Sequence, residues 1–249
     1  MRQLFIALFA LLLPSMLVAQ EAEVRVPYEE EIIDKTMLSS SPFYYTNLML
    51  KYREGAEPLS ADEYYYLYYG YAYSEDYRPF LENEPLTGML DILSLLNPEQ
   101  PTVGQMEAII ERGAEALKID PFNPKVLNIM AYAYGALDDP QREALYFAHL
   151  NGILSAIESS GTGLKEESPW HILMFSHAYD LLASKGYAYQ ESRIISRTVE
   201  YIPLMRKTHD RIKGFYFDYG RVYRNKPDDV TFKRDRTWQF NNLKPREYK

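Results

Sequence analysis

Apolar residues recur at helical spacing through the first two thirds of the chain, and near its end they switch to alternation. Pro27, a helix-opening residue, predicts a helix over Tyr28–Ser39 that stops in the serines Ser39, Ser40 and Ser41. Pro42 begins a second short helix carrying Leu48 and Tyr52, closed by Gly55 and Pro58. Ser60, with Glu63 three residues on, forms a capping box and predicts a third helix from Ala61 to Tyr77. That helix contains the run YYYLYYGYAY. Leu86–Leu96 is apolar and is broken by Pro98 and Pro101. Thr102 then starts a long helix with Met106, Ile109, Ile110, Ala114 and Leu117 on one face, ended at Asp120-Pro121. Asn123-Pro124 opens the next helix, to about Leu137. Asp139-Pro140 opens another, through Leu145, Phe147, Leu150 and Ile157.

The pattern changes after SSGTGLKEES at Ser159–Ser168, whose polarity and glycines read as a linker over 161–169. Trp170–Tyr179 is dense in apolar and aromatic residues and reads as strand in preference to helix. Arg193–Leu204 is β-branched, with Ile195, Val199 and Tyr201 on one face. Ile212–Tyr219 alternates, placing Phe215, Phe217 and Tyr219 opposite Tyr216 and Asp218. The fold class expected is α+β. Helical hairpins over 28–160 are followed by a β-rich region at 170–224, a small antiparallel sheet packed on the helices. Residues 225–249 are polar and basic and are expected to be a loosely ordered tail.

The first 19 residues add the compartment. Met1-Arg2 is basic, Leu4–Val18 is apolar, and Ala19 is small before the charges at Glu21 and Glu23. This order is that of a signal peptide cut near Ala19 or Gln20, with 20–27 as a linker. The apolar run is shorter than the roughly 20 residues a membrane span needs and is broken by Pro14. The expectation is an extracytoplasmic protein, periplasmic or secreted, with no transmembrane anchor in the mature chain. The chain has no cysteine, which excludes disulfides, a lipid-modified N-terminal cysteine and thiol chemistry. Net charge is −8 and uneven: residues 206–249 carry 13 basic and 6 acidic residues, so about −16 falls on 20–205. An acidic body repels phosphate backbones, which argues against nucleic acid as a partner.

Two resemblances follow from quoted motifs. Asp120-Pro121 between two helices, with Leu127-x-x-Met130-Ala131-x-x-Tyr134 after it and Tyr66-x-x-Tyr69-Gly70-x-x-Tyr73 before it, is similar to the helical hairpins of tetratricopeptide repeats. The two matches lie 61 residues apart, not a multiple of about 34, so repeat-like pairing is implied without a regular solenoid. In addition, YYYLYYGY (Tyr64–Tyr71), KIDPFNPKVLNIMAYAY (Lys118–Tyr134), SHAYDLL (Ser176–Leu182) and KGFYFDYGRVY (Lys213–Tyr223) occur in order. On these the chain resembles a family of exported proteins of anaerobic Gram-negative bacteria known as a domain of unknown function. The resemblance covers roughly Tyr28–Tyr223 and implies an α+β domain in the cell envelope. It implies no activity.

Candidate chemistry is sparse. Eight tyrosines between Tyr64 and Tyr77 cover more than one helix face, so some are expected at the surface. There Tyr66, Tyr69 and Tyr73 would offer rings and hydroxyls to a peptide or a sugar. Packing of the rings between helices is the competing reading. Ser176, His177 and Asp180 have triad residue types, but neighbours on a strand point to opposite faces and cannot converge. His171 and His177 on one strand face would stand about 20 Å apart, too far to share a metal. His177 with Asp180 and Asp218 remains the candidate cluster. No catalytic residue is assigned, and no metal or cofactor motif is present. The reading is a binding or scaffold module for an envelope protein or peptide. An unrecognised hydrolase with a cleft between helices and sheet is the alternative.

Overall fold

The computed structural model describes residues 24–97 and 100–226. The expected export segment, 1–19, and the tail beyond residue 226 lie outside the described residues. Within them the order is α1 (Glu29–Met37), α2 (Tyr45–Glu54), α3 (Ala61–Gly70), α4 (Glu84–Ser94), α5 (Val103–Ile119), α6 (Pro124–Ala136), α7 (Pro140–Ser159), β1 (Trp170–His171), α8 (Phe175–Ser184), β2 (Arg193–Ile194), β3 (Val199–Pro203), β4 (Gly214–Asp218) and α9 (Gly220–Arg224). The fold is α+β.

Helix starts fall where the caps put them. Ser60 accepts from the Glu63 amide while the Glu63 carboxylate accepts from the Ser60 amide, and Thr102 with Gln105 repeats the device. Asn123 and Asp139 each cap the helix whose first residue is a proline, accepting from the amides of Val126 and Arg142. Gly55 closes α2 in the left-handed region at φ 61°. The third helix ends sooner than its expected Tyr77. Ser74 takes the Tyr71 carbonyl with both its amide and its hydroxyl, tightening Tyr71–Tyr73 into a 3-10 turn.

Trp170–Tyr179 corrects the expectation more sharply. Only Trp170 and His171 are strand, and Phe175–Ser184 is helical. Met174, His177, Ala178, Leu181 and Leu182 are buried at three- and four-residue spacing, so the 3.6 period governs the segment. The sheet is mixed, not antiparallel, in the order β1-β4-β3-β2. β1 runs parallel to β4, while β3 is antiparallel to both β4 and β2. Glu200, Ile202, Phe215 and Phe217 share the buried face, and Trp170 stacks on Phe215 at 4.8 Å. The 161–169 segment folds into a tight loop. Thr162 and Gly163 donate to the Ser168 carbonyl, and Gly163 accepts from the Tyr216 amide of β4.

One buried cluster joins α1, α2 and α3 to α7, α8 and the sheet, and a smaller one fills the space between α4, α5 and α6. Helices α4 to α7 pack each on the next, and α3 packs on α1 and α7. At Gly70 an added Cβ would lie 2.9 Å from the Thr36 methyl of α1. Thr36 cannot swing away freely, because its hydroxyl is bonded to the Ile32 carbonyl at 2.7 Å. Gly70→Leu is expected to cost about 1–3 kcal/mol or more by overpacking. Gly70→Ala should also destabilise, where an exposed helix glycine would gain about 1 kcal/mol. Urea denaturation checks both, and a leucine variant as stable as the wild type would contradict the contact.

Candidate functional site

Helix α3 lies at the centre of the larger core with aromatic rings on every side, and every residue from Tyr64 to Gly70 is buried. The expectation that some of these tyrosines reach the surface is therefore corrected. A helix apolar all round is a buried helix, and here the hydroxyls find partners inside the fold. Tyr66, 4% exposed, donates to Glu31 Oε1 at 2.8 Å. Tyr69, fully buried, donates to the His171 carbonyl at 2.9 Å. Tyr65, Tyr71 and Tyr77 donate to the carbonyls of Arg25, Ile119 and Leu173. Tyr73 is half-buried in the 3-10 turn, and its hydroxyl has no partner among the described residues.

His177 sits on α8, 1% exposed, with both ring nitrogens engaged. Nδ1 lies 2.9 Å from the Tyr68 hydroxyl and Nε2 3.0 Å from Asp120 Oδ2. Asp120 Oδ2 also accepts from Asn123 Nδ2 at 3.0 Å, and since a carboxylate only accepts, Nε2 is the donor in its contact with Asp120. The Tyr68 oxygen in turn accepts from the Leu173 amide at 3.1 Å. Each donor meets one acceptor, and the chain from Leu173 to Asp120 closes without a gap. Burial pushes the Tyr68 hydroxyl well above its ordinary pKa, so it stays a donor. This network stitches α3, α8 and the α5–α6 join together, and all four of its side chains, Tyr68, His177, Asp120 and Asn123, are buried.

Asp180, one turn beyond His177, is different. Its side chain is 5% exposed, Oδ1 lies 3.3 Å from Lys125 Nζ, and Oδ2 has no hydrogen-bond partner among the described residues. Burial, with Asp120 adding to it, raises the Asp180 carboxyl above the usual range, while Lys125 and His177 pull it down. Asp180 lines a cleft of about 690 Å³ between α6, α7 and α8. Leu150, Leu154 and Ala183 give it apolar wall, Asn128, Asn151 and Ser155 polar wall, and Lys185 stands on the rim, paired with Glu158 at 2.7 Å.

Asp218 belongs elsewhere. The parallel register of β1 and β4 sets it beside His171, with Oδ2 3.7 Å from Nδ1, and its other oxygen accepts from the Gly220 amide. Burial outweighs this carboxylate and lowers His171 to about 4, so the ring is neutral and the contact is a weak polar one. The buried Arg221 guanidinium donates to the Pro27 carbonyl nearby and lies 5.4 Å from the Tyr69 ring. The candidate residues thus fall into separate places: His177 in the core, Asp180 in the cleft, Asp218 at the sheet with His171. Lys125, Tyr68 and Asp120 went unnoticed as site residues, since Asp120 reads simply as the residue before a helix-ending proline. Among the described residues no group of three His, Cys, Asp or Glu is placed to hold a metal, and no helix is long and apolar enough to cross a membrane.

Comparison with curated proteins and with solved structures returned no match. A family model does match, over residues 30–227, which runs from the second residue of α1 through α9. The chain belongs to the family described as a domain of unknown function, DUF4919.

Proposed function

We propose that the protein is an exported binding module whose site is the cleft walled by α6, α7 and α8. The observation that carries this reading is Asp180, a buried carboxylate in the cleft wall with one oxygen unpaired. Buried polar groups are nearly always satisfied within a fold, so an unmet acceptor in a concave site is a mark of binding. A tetratricopeptide-like pairing of α5, α6 and α7 is part of the proposal. It is supported by the Asp120-Pro121 join, the full burial of Ala131 and the packing of α6 on both neighbours.

The hydrolase alternative asks for a proton-transfer group at the cleft. His177 has no free nitrogen, and the titratable residues of the cleft are paired, Lys125 with Asp180 and Lys185 with Glu158. Ser184 gives its hydroxyl to the Leu181 carbonyl at 2.8 Å, not to a base. These contacts favour binding. Export rests on the basic, apolar and small order of Met1–Gln20, and protein recovered from cells should begin within a residue or two of Gln20. An intact Met1 on that pool would count against export.

The binding site is tested by amide spectra of the whole chain recorded with a library of short peptides. Saturable shifts should concentrate on Asn128, Asn151, Ser155 and Ala183. Shifts confined to the opposite groove, near Glu107 and Tyr134, would place the site elsewhere and defeat the reading.

A further inference from the structure

We infer that the group this cleft recognises is a primary alkylammonium, the end of a lysine side chain or of a free diamine, which closes on the Asp180 carboxylate. The inference rests on the cleft being the binding site and adds the ligand's chemistry.

The unmet demand inside the cleft is for a donor. Both cations that line it, Lys125 and Lys185, are already matched with carboxylates, so the cleft holds no spare positive charge for an anionic ligand. Asp180 alone is left short, with Oδ2 unpartnered and Oδ1 held only by a lysine 3.3 Å away. An ammonium carries three donors on a compact head and can take the place of Lys125 on Oδ1, while the buried Oδ2 comes within its reach only when the carboxylate turns toward the cleft. Lys125 itself demonstrates that the carboxylate accepts this head group. Its side chain is 46% exposed on the first turn of α6, so it can swing to solvent and yield its place with little loss of packing.

The walls suit the rest of such a ligand. Leu150, Leu154 and Ala183 can cover a methylene stem, while Asn128, Asn151 and Ser155 stand ready for a peptide backbone or a second polar end. A bare divalent cation fits less well, because it asks for more oxygen ligands than Asp180 brings and no other carboxylate joins it in a metal-holding group among the described residues. Acid should weaken binding. Protonating Asp180 removes the charge, and burial together with Asp120 moves that event above the usual carboxylate range, against the pull of Lys125 and His177. Glu158 and Lys185 stay paired on the rim.

The test titrates the labelled whole chain with 1,5-diaminopentane and with Nα-acetyl-lysine N-methylamide at neutral pH, reading the amides of Asn151, Ala183 and Ser184. Saturable shifts are expected with at least one amine, and the tighter of the two identifies the source as free diamine or peptide side chain. Asp180→Asn should weaken binding by about tenfold or more, since a charge-assisted contact is lost. Lys125→Gln should tighten it, because the internal competitor is removed. This second variant leaves Asp180 in place, so it decides the matter even if Asp180→Asn were poorly folded. Weaker amine binding by Lys125→Gln, or undiminished binding by a folded Asp180→Asn, would overturn the inference. If Nα-acetyl-glutamate N-methylamide shifts the cleft amides and the amines do not, the cleft binds but the ammonium inference is wrong. If neither these probes nor the peptide library shifts them, the binding-module reading falls too.

Discussion

Asp120→Ala is expected to destabilise the protein by about 3 kcal/mol or more. Its carboxylate accepts from His177 Nε2 and Asn123 Nδ2, both at 3.0 Å, in a region where Asp120, Asn123 and His177 are all buried. Removing it leaves the His177 and Asn123 donors unmet. A buried group left without its partner costs about 1–3 kcal/mol, and two members of one network are lost together. For a domain of this size, about 1 kcal/mol moves the melting temperature by roughly 2–4 °C, so a fall of about 6–12 °C should be read in a thermal melt. Tyr68→Phe should cost less, because the Leu173 amide and His177 Nδ1 lose a neutral hydroxyl and not a carboxylate partner. A melt within about 2 °C of wild type for Asp120→Ala would mean the network is not the strut described.

Acid should destabilise the protein progressively below about pH 6.5. His149 and His171 are both lowered to about 4, chiefly by burial. His149 Nδ1 lies 2.9 Å from the Tyr64 hydroxyl and its ring stacks on Tyr52 at 3.9 Å, and burial there favours the neutral imidazole. In the unfolded chain each histidine takes a proton near pH 6.5. The folded chain resists until about pH 4, so the unfolded state binds more protons throughout that window. Stability is therefore full above about pH 6.5 and falls steadily as pH drops to about 4. Each histidine contributes a slope of up to about 1.4 kcal/mol per pH unit, so the pair reaches roughly 2–3 kcal/mol per unit at its steepest. Asp180 works in the opposite sense, since its raised carboxyl takes up a proton more readily in the folded state, and it offsets part of the loss. Urea midpoints across pH 7 to 4.5 should follow this curve, and His149→Gln should flatten it by about half. Unchanged midpoints down to pH 4.5 would contradict the buried, neutral rings.

The helical half was legible because its signals are local. Ser60 with Glu63, Thr102 with Gln105, and the prolines after Asn123 and Asp139 each mark a helix start within four residues. Trp170–Tyr179 misled because the window closed too soon. The repeat of Ala178, Leu181 and Leu182 emerges only when the segment is carried to Ser184. The mixed sheet was hidden for a related reason, since a two-residue strand such as β1 leaves no alternation to read.

The site was less legible than the fold, because its meaning depends on contacts far apart in sequence. Tyr68 reaches His177 across 109 residues, and His177 reaches Asp120 across 57. No spacing announces such pairings, and a tyrosine-rich helix reads the same whether its hydroxyls meet water or carbonyls. Asp180 was singled out, but with Asp218 as a companion. The register of β4 against β1 gives Asp218 to His171, while helix α8 turns Asp180 toward Lys125.

On the proposed reading Asp180 is kept for binding, whereas Asp120 is kept for structure. Thermal melts of Asp180→Asn and Asp120→Asn, measured side by side slightly above neutral pH, test it most directly. A binding residue held as an underpaired buried charge lowers the stability of its own fold, so neutralising it should be harmless or better. Asp180→Asn is predicted to melt at or above the wild-type temperature, and Asp120→Asn, which turns an acceptor toward His177 or Phe122 into a donor, many degrees below it. If Asp180→Asn falls as far as Asp120→Asn, Asp180 is one more strut of the core, and the cleft loses the residue that marks it as a site.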